Sequence, residues 1–365
     1  MKSGSKVGAE RGVEACLVTG GCGFVGSALC LLLKGMYPRA KVTAFDNFYR
    51  NGSRLNEPRL REAGVTVVEA DVRDRQALAA AGECDVVIDA AAEPSVMAGR
   101  GADVAYVVDT NLGGTLNVLE CARQWRARFI FLSTSRVYPV EALRAIRLVE
   151  APERFEIAAE QDLAGIGATG IAEEFPVDGA RTLYGATKFA SEVMVREYAV
   201  QFGLDAVVDR CGVIAGPWQM GKTDQGVVAL WVASHVFGRA LKYIGYGGRQ
   251  VRDVLHIDDL AALVEKQLRH GGPLGGAVYT VGGGRGCSCS LRELTSLCSA
   301  ATGVRMDIPV DPVVREGDVP LYITDASRVR AAFGWAPERG MKDVVEDIAG
   351  WIHASRDTLR PILAP

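Results

Sequence analysis

The chain has 365 residues, 48% of them hydrophobic and 23% charged, with a formal net charge of −3 at pH 7. That length holds one large domain or two ordinary ones around an ample core, and the near-neutral charge gives no reason to expect nucleic acid or an anionic membrane as a partner. No apolar run approaches the length that crosses a bilayer, and nine cysteines at irregular spacing read as reduced thiols of a cytoplasmic protein, not as a disulfide framework.

Residues 1–12 are polar, lack the apolar segment of a secretion signal and read as a flexible tail. A short apolar run at 15–18 then reads as a buried strand, followed at once by glycines. Gly20, Gly23 and Gly26 fall three apart, and the apolar stretch 24–33, opened by Phe24 and Val25, suits a helix packed on a sheet. In such a turn the first glycine permits the reversal, the second lets a pyrophosphate approach the backbone, and the third lets helix and strand pack closely. Free N–H groups and the positive end of the helix dipole face the phosphates. A second strand over 41–45 ends at Asp46, 20 residues after Gly26, where a carboxylate binds the ribose diol of adenosine. That favours NAD, with Arg50 and Arg54 nearby leaving NADP as the alternative. Dinucleotide binding is the expectation; a purely structural glycine turn is the competing reading.

A polar segment over 47–62 leads to a strand at 65–69 that ends near Asp71. Another strand, 85–90, runs into Ala91-Ala92-Glu93-Pro94. A helix over about 105–124 contains Asn111, and a strand at 128–132 ends in Ser133-Thr134-Ser135. Strands alternating with helices predict βαβ units and a doubly wound parallel sheet of α/β type, with ligands beyond the carboxyl ends of the strands. Asp46, Asp71, Ala91 and Thr134 all fall at such ends.

Residues 139–181 break this rhythm, with nine acids against four arginines and a flexible-looking Ala-Gly-Ile-Gly-Ala-Thr-Gly run at 164–170. They read as a solvated surface insertion; their place between two active-site elements raises a lid over the substrate pocket as the alternative. Tyr184-Gly-Ala-Thr-Lys188 then opens a helix to about residue 202, and residues four apart share one face. A free tyrosine, with a pKa of about 10, is a poor base at neutral pH. A neighbouring ammonium favours the phenolate, and oxidised nicotinamide adds a second positive charge. Such a tyrosine can remove a hydroxyl proton while hydride passes to the cofactor. Cys287-Ser-Cys289 has no second pair nearby, so no metal is expected.

Taken together, Thr-Gly-Gly-Cys-Gly-Phe-Val-Gly (19–26), Phe-Asp-Asn (45–47), Ser-Thr-Ser-Arg-Val-Tyr (133–138), Tyr-x-x-x-Lys (184–188) and Arg-Asp-Val-Leu-His (252–256) span nearly the whole chain. In this order the chain resembles an extended short-chain dehydrogenase/reductase of the nucleotide-sugar epimerase and dehydratase branch. The resemblance implies a Rossmann-type domain over 13–210, with the insertion at about 139–181. It also implies a smaller, interleaved substrate domain over 211–365, some of whose segments return to the first. It implies Thr134 on the sugar hydroxyl, Tyr184 as the base, and Lys188 holding the nicotinamide ribose and lowering the tyrosine pKa. The implied NAD site comprises Gly20, Gly23, Phe24, Val25 and Gly26, then Asp46, Asn47, Arg50, Asp71 and Val72, then Ala90, Ala91, Ala92, Asn111, Tyr184 and Lys188. The implied substrate site comprises Glu93, Ser135, Arg136, Gln225, Gly226, Arg252, Arg315 and Asp318, with Arg252 on the pyrophosphate and Arg315 near the nucleotide. Packing as a homodimer or homotetramer is a further implication.

Sugar 4,6-dehydratases of this family place Asp-Glu directly after the threonine, because eliminating water needs a further acid and base. Here Ser135-Arg136 stands in that place. The resemblance is instead to enzymes that invert C2 of a CDP-hexose through a transient 2-keto sugar with tightly bound NAD, carried by 45–50, 224–226, 250–256 and 312–318. Epimerisation at C4 of a UDP-sugar and a nucleotide-sugar reductase or dehydrogenase are the alternatives. A non-catalytic dinucleotide sensor would lack the threonine, tyrosine or lysine, and all three are present. The chain departs from the family pattern in three ways: Pro139 follows Val-Tyr in place of glycine, Val213 stands where many relatives carry a phosphate-touching asparagine, and the insertion is long.

Overall fold

The computed structural model of the protein describes residues 12–99, 103–222 and 225–364. The tail read over 1–12 therefore falls almost wholly outside the described residues, as does Asp224.

Seven strands build the main sheet: β1 (Ala15–Thr19), β2 (Lys41–Asp46), β3 (Thr66–Glu69), β4 (Val86–Asp89), β5 (Arg128–Thr134), β6 (Ala206–Cys211) and β7 (Ala277–Val281). They lie in the order β7-β6-β5-β4-β1-β2-β3, and every pairing is parallel. A parallel sheet is covered by helices on both faces, so its strands are apolar on both. Leu17 and Val18, Val87 and Ile88, and Phe129 and Ile130 accordingly show no exposed surface on either side. The chain runs outward from β1 to β3, then returns across β1 to β4. This leaves a crevice at the carboxyl ends of β1 and β4, where the winding direction reverses and ligands of such sheets bind.

Two local features escape periodicity. The segment at 47–62 holds a 3₁₀ turn, Ser53–Asn56, and a helix, Glu57–Glu62, that buries Leu60. One and a half turns are too short to show a 3.6-residue pattern. The helix read at 105–124 is broken in the middle: Val104–Val108, then a π turn at Asp109–Gly113, then Gly114–Trp125. The turn brings the Gly114 backbone close to Val72, where an added Cβ would lie 2.6 Å from Val72 Cγ2.

The second half forms a smaller sheet from Val213–Ala215, Val251–His256, Ser288–Ser290 and Leu321–Tyr322. Helices Val227–Phe237, Leu291–Thr302 and Met341–Ala354 pack a second core around Val232, Leu294, Ile348 and Ile352. The strand β7 leaves this half and joins the main sheet beside β6.

The insertion is neither a solvated appendage nor a lid. Among the described residues, none of 139–181 lines the main cavity. Leu143, Ile146, Ile171 and Phe175 pack with Tyr138, Val319 and Tyr322, while Phe155 packs on Val251, Leu321 and Ile323. Arg154 ties this segment to Glu293 at 3.3 Å. The run at 164–170 is a tight hairpin, Ile166–Gly167 paired with Gly170–Ile171. Gly170 has φ +133°, and an added Cβ would sit 2.5 Å from Ile323 O, so this glycine serves close approach and not mobility.

Candidate active site

At the end of β1 the chain turns at Gly20, with φ +62°, and enters the helix Phe24–Met36 through Gly23. A Cβ on Gly26 would fall 2.1 Å from Gly20 O, so only glycine lets this helix cross its own turn. A Cβ on Gly20 would meet Ala90 O at 2.9 Å, across the crevice between β1 and β4. No side chain caps this helix, so its first N–H groups are left to the cavity. Asp46, at the end of β2, accepts from Cys22 N at 3.0 Å and Phe48 N at 2.8 Å. Burial raises its pKa, which those backbone bonds partly offset. The fit to a dinucleotide is therefore direct: a bare glycine cradle for phosphates and a fixed carboxylate one strand away, on the wall of the same cavity.

That cavity, about 860 Å³, runs on into the second half of the chain. Gly20, Gly23, Phe24, Val25, Gly26, Asp46, Asn47, Arg50, Val72, Ala90, Ala91 and Ala92 line its first part. Thr134, Tyr184 and Lys188 line its middle. Glu93, Ser135, Arg136, Gln225, Gly226, Arg252, Arg315 and Asp318 line the remainder.

Two residues expected at the cofactor do not reach this wall. Asn111 is fully buried: its Oδ1 accepts from Glu93 N at 2.8 Å, and its Nδ2 donates to Glu93 O and to Thr187 Oγ1 at 3.2 Å. It fastens the loop after β4 to the helix that carries Tyr184 and Lys188. Asp71 binds the Arg73 guanidinium at 2.8 and 2.9 Å, which holds its carboxyl down at about 2. It also accepts from Asn47 Nδ2 at 2.9 Å, so it acts on the cavity through Asn47.

The helix Leu183–Phe202 begins at Thr182, whose side chain accepts from Gly185 N. Gly185 is required by contact, since a Cβ there would meet Arg136 O at 2.1 Å. This approach sets Tyr184 on the same cavity wall as Thr134, whose hydroxyl acts to favour the phenolate. Burial pushes the Tyr184 phenol up to about 12, with the Thr134 hydroxyl and the Arg136 charge acting in the opposite direction. Lys188 follows one helical turn after Tyr184 on the same cavity wall. Lys188 is 2% exposed; its ammonium sits 3.9 Å from the Phe131 ring centroid, and burial lowers its pKa to about 8 despite Asp89 and Glu192 nearby. Behind the site, Glu192 accepts from Ser133 Oγ at 2.5 Å and pairs with Arg210 at 2.8 Å, a buried brace that sequence reading missed.

On the substrate side, Arg252 Nη2 binds Asp318 Oδ1 at 2.8 Å and Val319 O at 2.8 Å. Arg136 points into the same space, with Nη1 3.4 Å from Gly317 O. The far wall consists of residues that no motif marked, among them Trp231, Ser234, Leu241, Ile244 and Leu291. They come from two helices, a loop and a short strand, Tyr243–Ile244, and meet only in the folded chain. Gln219 and Gln250 also line the cavity. Each donates its amide N–H to a backbone carbonyl, Ile214 O and Ile244 O, leaving a buried Oε1 without a described partner.

The profile of the NAD dependent epimerase/dehydratase family matches residues 16–282. The chain is 29% identical to a CDP-paratose 2-epimerase of Salmonella typhi, over 92% of this chain and 98% of that protein. It is 28% identical to a dTDP-glucose 4,6-dehydratase of Streptomyces antibioticus, over 95% and 94%. Among solved structures it is similar to the Thermus thermophilus UDP-glucose 4-epimerase in complex with NAD, with TM-score 0.73, 26% identity, and 93% and 99% of the two chains covered. The dTDP-glucose 4,6-dehydratase of Streptomyces venezuelae, solved with NAD, gives TM-score 0.76 at 26% identity, covering 95% and 99%.

Proposed function

The chain belongs to the NAD-dependent epimerase/dehydratase family, and we propose that within it the protein is an epimerase inverting C2 of a CDP-hexose. The carrying observation is that Thr134, Tyr184 and Lys188 line one cavity with the glycine cradle, with Ser135-Arg136 after the threonine in place of a second acid and base. The similarity to the Salmonella typhi protein supports the choice of carbon and nucleotide.

Bound NAD supplies the hydride acceptor and donor, and its positive ring supplies the charge that the buried phenol lacks. The remaining work falls to the chain. Gly20, Gly23 and the helix N–H groups hold the cofactor's phosphates, and Asp46 holds the adenosine ribose. Tyr184 takes the proton of the sugar hydroxyl and returns it, while Thr134 orients that hydroxyl. Lys188 holds the nicotinamide ribose. Arg252 binds the pyrophosphate with the planar fork suited to it. Oxidation at C2 followed by reduction from the other face leaves no net redox change, and neither Ser135 nor Arg136 at ordinary pH offers the acid–base pair that eliminating water requires.

Tyr184→Phe tests the assignment. The expected variant keeps its bound NAD and loses turnover by about two to four orders of magnitude, as removing a general base does. Measurement of released nicotinamide and of sugar inversion checks both halves; unchanged turnover removes Tyr184 from its role.

We further propose that the protein works in the cytoplasm, where its nine free, buried thiols stay reduced, and that it assembles as a homodimer or homotetramer.

A further inference from the structure

We infer that Arg136 grips the phosphate that carries the sugar, and that this grip seats the carbon next to the anomeric centre against Tyr184. The inference deepens the epimerase reading above and rests on it.

The placement of Arg136 is fixed by its neighbours. It stands two residues after Thr134, and its own N–H donates to Thr134 Oγ1 at 3.2 Å. Its side chain lines the cavity that Tyr184 and Arg252 share. A guanidinium carries five N–H donors, and the one side-chain hydrogen bond described for this one is the 3.4 Å contact with Gly317 O. Asp318, the carboxylate beside it, is already taken: its Oδ1 accepts from Arg252 Nη2 at 2.8 Å and from Val319 N at 2.9 Å. The Arg136 and Arg252 guanidiniums thus face the cavity beside one carboxylate, Asp318. Burial and the nearby Arg252 bring the Arg136 pKa down to about 10, which an anion in the cavity would reverse. Val213 lines the same cavity and offers no donor.

Ring geometry then selects the carbon. In a sugar nucleotide the phosphate hangs on C1; C2 is its direct neighbour, and C4 lies across the ring. Arg136 starts beside Thr134, where its N–H donates to Thr134 Oγ1, and its guanidinium ends at Gly317 O, next to the Asp318 that binds Arg252, so it spans the distance from the threonine to the pyrophosphate arginine. A cation so placed reaches the glycosyl phosphate when the reacting carbon adjoins C1. With C4 at Tyr184, the width of the ring would separate that phosphate from Arg136.

The test is titration calorimetry on the NAD-loaded protein with CDP and CMP, for wild type, Arg136→Met and Arg136→Lys. The NAD content of each variant reports that it is folded. Arg136→Met is expected to weaken CDP by about tenfold or more, as loss of a charge-assisted contact to phosphate does, and to leave CMP within about twofold. Arg136→Lys, which keeps the charge and loses the fork, restores part of the CDP affinity. With CDP-paratose, KM rises in parallel with the CDP loss. Equal losses for CDP and CMP, or no loss, overturn the assignment. If wild type prefers UDP over CDP, the nucleotide of the functional reading is wrong, and the same comparison of UDP with UMP decides for or against Arg136. A wild-type protein that binds no nucleoside diphosphate overturns the functional reading and the assignment with it.

Discussion

Lys188 is carried into a site where 2% of it is exposed, and that burial holds its pKa at about 8, below its value of 10.5 in the unfolded chain. The unfolded state therefore holds the proton more tightly, so stability rises as pH climbs from about 8 to 10.5, and the whole penalty is present below 8. A depression of this size corresponds to a few kcal/mol, on the order of 1.4 per pH unit. Lys188→Met, of similar length and no charge, is expected to melt at or above wild type at pH 7 without cofactor. It should also lose the rise in stability between pH 8 and 10.5, and lose turnover. Thermal denaturation across that pH range checks it, and a lower melting temperature at pH 7 refutes the cost of burying the charge. The Tyr184/Lys188 pair was legible because a spacing of four puts two side chains on one face. The direction of the Tyr184 pKa was not, because it depends on how much protein covers the phenol. Asn111 and Asp71 stand at strand or helix positions that suggest the cofactor, yet each bonds instead to protein groups brought near by the fold, Glu93 and Thr187 in one case and Arg73 in the other.

At the scale of elements, β1, β2, β4 and β5 announce themselves because each is an apolar run ending in small or polar residues, the pattern of a parallel strand buried on both faces. The insertion at 139–181 gives no such signal. Its hairpins are two or three residues long, and its contacts lie far away in sequence: Phe155 against Val251 and Leu321, Ile171 against Tyr322. Composition registers its acids and glycines and misses the buried side. The structure makes it a strut behind the smaller sheet. Phe155→Ala should accordingly destabilise the protein by about 3 kcal/mol, the typical cost of emptying a buried aromatic site. KM for the substrate should stay within about twofold, since no described residue of the segment lines the cavity. Denaturant unfolding and steady-state kinetics separate the two quantities; a large rise in KM with unchanged stability would restore the lid.

At the scale of the molecule, one cavity joins two halves that sequence order keeps apart. The cradle comes from residues 20–26, the acid–base group from 134–188, and the phosphate arginine from the smaller sheet at 252. The far wall, from Trp231 to Leu291, carries no motif because packing alone gathers it. Outside the cavity, Val193 and Val200 stand seven apart on the helix Leu183–Phe202 and are 43% and 79% exposed. A residue-seven repeat keeps them on one face, and we propose that face as the seam of the homo-oligomer. The protein should sediment at two or more times the mass of one chain, and Val200→Asp should shift it toward the monomer; a wild-type protein that sediments as a monomer refutes the seam. The central claim, redox-neutral inversion at a single carbon, is tested most directly by incubating the purified protein with CDP-paratose in heavy water, with no cofactor added, and following the sugar by NMR and mass. The account predicts a C2-inverted sugar without solvent deuterium, its hydrogen having left and returned on the bound nicotinamide. A C2-inverted sugar carrying deuterium at C2 would contradict it; so would a 4-keto-6-deoxy product carrying deuterium from CDP-glucose, which keeps the 6-hydroxyl, treated in the same way, showing that Ser135 and Arg136 support elimination after all.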